Sequence, residues 1–190
     1  MSKPDIHLVD EADEVEQQFR SVMRRLAGGV SVVTAGRDDD ITGMTITSLT
    51  SLSASPPRVL ISVNRQASSF ALLERYRMFG VNILGSDQQE LAARFSNREL
   101  SGNQRFEGTT WFAGSTGVPL LGNSLATMEC QVEEIIERYS HGIVVGSLRS
   151  FDLSHRLSGL VYWNGQFIEI DHDADLDLLA EVSIPMMHVR

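Results

Sequence analysis

The period of the apolar positions changes several times along this chain, and the changes predict its elements. Val15, Phe19, Val22, Met23 and Leu26 fall at helical spacing, and Gly28-Gly29 stops that helix. β-rich runs follow at 30–35 (VSVVTA), 44–49 (MTITSL) and 58–64 (RVLISVN). A polar turn at 36–40 joins the first two as a hairpin, and Pro56-Pro57 precedes the third. FALLERY at 70–76 reads as a helix and FGVNIL at 79–84 as a buried strand. Ser86 with Gln89 forms a capping-box pattern for a helix running through Phe95, and residues 97–119 read as loop. Strand runs at 125–137 and 142–151 come next. The last two, LVYW and QFIEI, are joined by Asn164-Gly165, a dipeptide suited to a type I′ hairpin turn.

Many antiparallel strands with few helices between them do not suit a doubly wound sheet, and closing such strands on themselves removes exposed edges. The predicted class is therefore mainly β with flanking helices, built as a small antiparallel barrel. No GxGxxG follows any of the strands, which argues against a parallel dinucleotide-binding sheet. A nucleotide cofactor would need another kind of cradle.

The 190 residues suit one domain, and no apolar run approaches the roughly 20 residues that span a bilayer. The acidic N-terminal stretch has no apolar core like that of a signal peptide, so a cytoplasmic location is expected. The formal charge of −9 sits at the ends: residues 1–20 and 168–190 hold twelve acids against three basic residues, whereas 21–167 hold thirteen of each sign. A neutral body without a basic stripe argues against nucleic acid as a partner. The chain divides into an acidic N-terminal extension at 1–18, a patterned domain at 19–168 and an acidic C-terminal tail at 169–190.

Cys130 is the sole cysteine, which leaves no internal disulfide or CxxC pair, so redox chemistry would need a borrowed cofactor. Lys3, far from the body, is the sole lysine, which disfavours Schiff-base chemistry. The five histidines form no HxH or HExxH grouping, so no metal site is expected. The segment from Gly43 to Asn64 packs Thr45, Thr47, Ser48, Thr50, Ser51, Ser53 and Ser55 between apolar strands. Such hydroxyls can serve a polar planar ligand without adding charge, or can simply belong to a Thr-rich edge strand and turn.

Nine short motifs, in order over about 150 residues, resemble the flavin reductase family. They are Phe19-Arg20, GVSVVT at 29–34, GMTITS at 43–48, SLSASPP at 51–57, FGVN at 79–82, LAARF at 91–95, MEC at 128–130, SHGIVVG at 140–146 and YWNGQF at 162–167. The resemblance implies a split-barrel flavin-binding fold, a homodimer, and reduction of FMN or FAD by NADH or NADPH. It also implies delivery of reduced flavin to a flavin-dependent monooxygenase component.

Carried over residue by residue, Thr45, Thr47, Ser48 and Leu49 match the segment facing the isoalloxazine. Asn64, Ser68 and Ser69 match the strand-to-helix turn near the flavin phosphate, with Arg65 as a helper; N-capping is the plainer role for the two serines. Asn82 and the segment holding Leu91, Ala92, Phe95 and Ser96 match further flavin-lining positions. His141 matches a histidine near the nicotinamide, although Ser140 stands where the family often has an acid, removing an orienting partner for the imidazole. A lone histidine opening a strand can equally be structural. Tyr162, Trp163 and Phe167 fall on a hairpin flanking the cleft. Two alternatives stay open: a related split-barrel flavoprotein acting as an oxidase or non-catalytic binder, and a barrel for another small apolar ligand.

Overall fold

The structure is a computed structural model and describes residues 12–170. The expected acidic tail at 169–190, and the first eleven residues of the extension at 1–18, lie largely or wholly outside that range. The opening helix α1 spans Ala12–Met23, with its apolar stripe exposed. Next come β1 (Gly28–Gly29), β2 (Ser31–Arg37), β3 (Asp40–Ile46), β4 (Thr50–Ala54), β5 (Pro57–Asn64) and helix α2 (Ser68–Tyr76). Strand β6 (Met78–Ile83) leads to helix α3 (Gln89–Ser96) and the short pair β7 (Trp111–Ala113) and β8 (Pro119–Leu121). The long hairpin β9 (Ala126–Arg138) and β10 (His141–Leu153) precedes the closing hairpin β11 (Gly159–Trp163) and β12 (Gln166–Ile170). No described helix is long and apolar enough to cross a membrane.

All strand pairs among the described residues are antiparallel. The main sheet runs β3-β2-β6-β9-β10-β5-β4, and β1-β11-β12 form a smaller one. Val30, Leu84 and Leu160 stitch the two together through a ring of backbone bonds of 2.9, 3.1 and 3.2 Å. The period-2 alternation of β2 explains why it is buried on both faces. Val33 and Ala35 enter one core with Ile61, Leu73 and Phe79 beneath α2, while Val30 and Val32 enter a second with Leu84, Phe95 and Leu160 beneath α3. Each such buried side chain contributes about 1.5–3 kcal/mol.

The outer strands of the main sheet, β3 and β4, are consecutive in sequence. At the turn between them Ser48 Oγ accepts from the Ser62 N–H at 3.1 Å and donates to the Ser62 carbonyl at 3.2 Å. A side chain there takes the place of a backbone pair and draws the end of β3 towards β5, giving the antiparallel split-barrel fold expected.

The β2–β3 turn is tighter than its polar run suggests, because Arg37 pairs directly with Asp40 and Asp38 takes a positive φ of 54°. Asn164 and Gly165, at φ of 51° and 86°, form the turn their dipeptide predicts. The Ser86/Gln89 capping box does not form. Gln88 Oε1 instead accepts from the Gly85 N–H at 2.8 Å, ahead of a single 3₁₀ turn at Ser86–Gln88. The stretch read as loop contains β7 and the first residue of β8, and the tip between these strands is fastened by a buried carboxylate: Glu129 accepts from Ser115 N and Oγ at 2.5 and 2.7 Å and from Thr116 N and Oγ1 at 3.3 and 3.2 Å. Any side chain at Gly114 would collide with that carboxylate.

Candidate active site

Strand β3 and helix α3 form one wall of a groove with two lobes that meet at Thr45 and Ser96. The two hydroxyls share an acceptor: Thr45 Oγ1 donates to the Ala92 carbonyl at 2.6 Å and Ser96 Oγ donates to it at 2.9 Å. Their protons are thus committed, and each hydroxyl offers lone pairs to whatever enters the groove.

The less polar lobe, about 490 Å³, is lined by Thr45, Ile46, Thr47, Tyr162 and Phe167 among others. Tyr162 and Phe167 pack edge to face across their hairpin at 5.3 Å, presenting aromatic surface where a planar ring could stack. Trp163 points the other way, donating from Nε1 to the Arg25 carbonyl at 3.1 Å. It thereby ties the hairpin to the chain after α1.

The polar lobe, about 620 Å³, gathers Asn64, Ser68, Ser69 and Phe95 with Arg98 and Arg105, and among the described residues no acidic side chain lines it. Asn64 shapes the entry to α2: its Oδ1 accepts from the Gln66 N–H at 2.8 Å and its carbonyl accepts from the Ala67 N–H at 3.0 Å. The N-cap is Ala67, so neither serine caps the helix. Ser68 Oγ lies 3.2 Å from Thr42 Oγ1, and Ser69, only 1% exposed, donates from Oγ to Met44 Sδ at 3.1 Å. Among the described residues the Ser68 and Ser69 N–H groups meet no protein acceptor, as the first turn of a helix requires. These orphan donors and two arginines give the lobe the polarity that suits an anion.

The remaining expected residues lie elsewhere. Ser48 is spent on Ser62, and Leu49 packs against the main core. Leu91 and Ala92 are buried behind the groove wall. Asn82 lines neither lobe: it is fully buried, Nδ2 donating to the Val32 carbonyl at 2.9 Å and Oδ1 accepting from the Leu121 N–H at 2.7 Å. Arg65 is paired with Glu137 and donates to the Tyr139 carbonyl, in a separate depression, which removes it as a phosphate helper. His141 opens β10, exposed, opposite Asn64 of the polar lobe. Its ring is not left without a partner, contrary to the reading of Ser140: Ser140 Oγ lies 2.9 Å from His141 Nδ1.

Arg98 and Arg105 escaped the sequence reading because they sit in the stretch between 97 and 119 that shows no period. Their signal was compositional, arginines just beyond LAARF.

Comparison with known families places this split barrel among flavin enzymes. The flavin reductase like domain matches residues 23–171, and the chain belongs to that family. An NADH-dependent FAD reductase of Streptomyces globisporus is 33% identical over 90% of this chain and 94% of its own. The HsaB reductase subunit of a flavin-dependent monooxygenase from Rhodococcus jostii is 31% identical over 83% and 79%. The solved structure of the Streptomyces globisporus C-1027 NADH:FAD oxidoreductase in complex with NAD and FAD fragments superposes with a TM-score of 0.78 at 32% identity. That match covers 90% of this chain and 100% of the other.

Proposed function

We propose that the protein is an NADH-dependent flavin reductase that binds FMN or FAD in the two-lobed groove and supplies reduced flavin to a separate monooxygenase component. One observation carries the reading: a lobe with orphan helix N–H donors, two arginines and no acid among the described residues opens, at Thr45 and Ser96, into a lobe walled by Tyr162 and Phe167. The polar lobe suits a phosphate, and the other suits an isoalloxazine.

A flavin held in this groove would supply the redox chemistry, as the acceptor of a hydride from reduced nicotinamide. The protein's part is positioning. Thr45 and Ser96 present fixed lone pairs to the ring edge, and Tyr162 with Phe167 excludes water on one side. The Ser68 and Ser69 N–H groups anchor the phosphate. His141, held by Ser140 beside the groove, orients the nicotinamide. No acid–base pair is needed, and the main contribution would be to hold the two rings in reacting order.

The protein acts as a cytoplasmic homodimer. Supporting the dimer are the α1 stripe, with Phe19 62% and Val22 66% exposed, and Leu52, Phe151 and Leu153 standing open on β4 and β10. Anaerobic titration with NADH or NADPH in the presence of FMN or FAD tests the reading. Bleaching of bound flavin by NADH supports it, and flavin that binds but stays oxidised refutes it.

A further inference from the structure

Arg105 lies in a 3₁₀ turn at Gly102–Phe106, and its guanidinium spans three walls of the polar lobe. Nη1 donates to the carbonyls of Gly43 on β3 and Phe95 on α3, at 3.2 and 2.7 Å. Nε and Nη2 both donate to the Leu100 carbonyl, at 3.1 and 2.7 Å. Four of five N–H donors are therefore committed to neutral acceptors, and one remains. No carboxylate pairs with this side chain among the described residues. Burial pushes its ionisation below the usual arginine range, yet a guanidinium stays charged at neutral pH.

Carbonyl dipoles solvate a cation without neutralising it. A part-desolvated charge with no counter-ion among the described residues, lining a lobe to which those residues bring no acid, favours an anionic ligand over a neutral one of the same shape.

We propose that Arg105 makes the groove selective for phosphorylated flavins over riboflavin, because its fork holds three walls while its net charge and remaining N–H fall to the ligand's phosphate. The inference rests on the flavin reading and deepens it. Lysine at this position keeps the charge and cannot bridge three carbonyls, whereas glutamine keeps some hydrogen bonding and loses the charge.

The test is fluorescence titration of the full chain and of Arg105→Lys and Arg105→Gln with FMN and with riboflavin, at low and high salt. Steady-state kcat and KM for NADH are measured alongside. In Arg105→Gln the dissociation constant for FMN is expected to rise at least tenfold while that for riboflavin moves less than threefold. Arg105→Lys should recover part of the FMN affinity. In the unaltered protein, salt should weaken FMN binding and leave riboflavin binding unchanged, a readout that does not depend on any variant folding. Equal losses for the two flavins would reduce Arg105 to a strut, and salt-independent binding of both would overturn the inference while leaving the flavin reading intact. An unaltered protein that binds neither flavin overturns both.

Discussion

His141 and Asn64 are direct partners across the antiparallel ladder of β10 and β5. One is the histidine proposed to orient the nicotinamide, and the other shapes the helix entry that floors the polar lobe. The pairing brings residue 141 within one strand of residue 64. A rigid ladder holds the two groups in register, so displacement of either would be felt at the other.

Replacing His141 by alanine should separate the two ligands. Flavin affinity is expected to stay within a few-fold of the parent while kcat/KM for NADH falls roughly tenfold to a hundredfold, about 1.4–2.7 kcal/mol of transition-state stabilisation. Ser140→Ala, which removes the hydroxyl 2.9 Å from Nδ1, should give a smaller loss of the same kind. Steady-state kinetics at saturating flavin beside direct flavin titration decides the matter. Unaltered NADH kinetics would leave His141 a strand residue only.

The two serines at the start of α2 should behave differently. Ser68 has its hydroxyl near the groove, so Ser68→Ala should weaken FMN binding several-fold. Ser69 is buried against Met44, and Ser69→Ala should instead cost about 1 kcal/mol of stability through its lost hydrogen bond. Equal effects on affinity in both variants would contradict this division.

Glu129 is 1% exposed, and its carboxylate meets four donors of the β7–β8 tip. Truncation to alanine strands those donors and leaves a cavity, so urea unfolding should show a loss of about 3 kcal/mol. Glu129→Gln should lose less, since its carbonyl oxygen still accepts. A stability change under 0.5 kcal/mol would show that the tip is held by other means.

Burial, with the neighbouring Glu129 charge, pushes the Cys130 thiol up from 9.0 to about 12. The folded protein should therefore resist thiol reagents at pH 8 and react fully once unfolded. Because the folded value is the higher one, this group's contribution to stability is complete below pH 9 and is lost as pH rises from 9 towards 12. Rapid labelling of the native protein would place the thiol in reach of solvent.

Local pattern alone determined much of this protein. The β-rich runs VSVVTA and FGVNIL, the helical spacing of FALLERY and the Asn164-Gly165 turn each appear where their composition, period or turn chemistry predicts. These are short-range consequences of side-chain direction and backbone preference. The nine motifs, in order, also marked the family. Tertiary structure decided what local pattern does not encode. Strands β7 and β8 are three residues each, too short to carry a period, and they are held by a carboxylate that arrives from β9. Asn82 and Ser69 look like ligand donors in sequence, but packing surrounds them with protein partners. Ser140 supplies the imidazole partner that its identity did not suggest. Arg105 gains its place because β3, α3 and the segment after it converge on one guanidinium. A hydrogen bond between residues 62 positions apart, such as Arg105 to Gly43, exists only once the chain has folded.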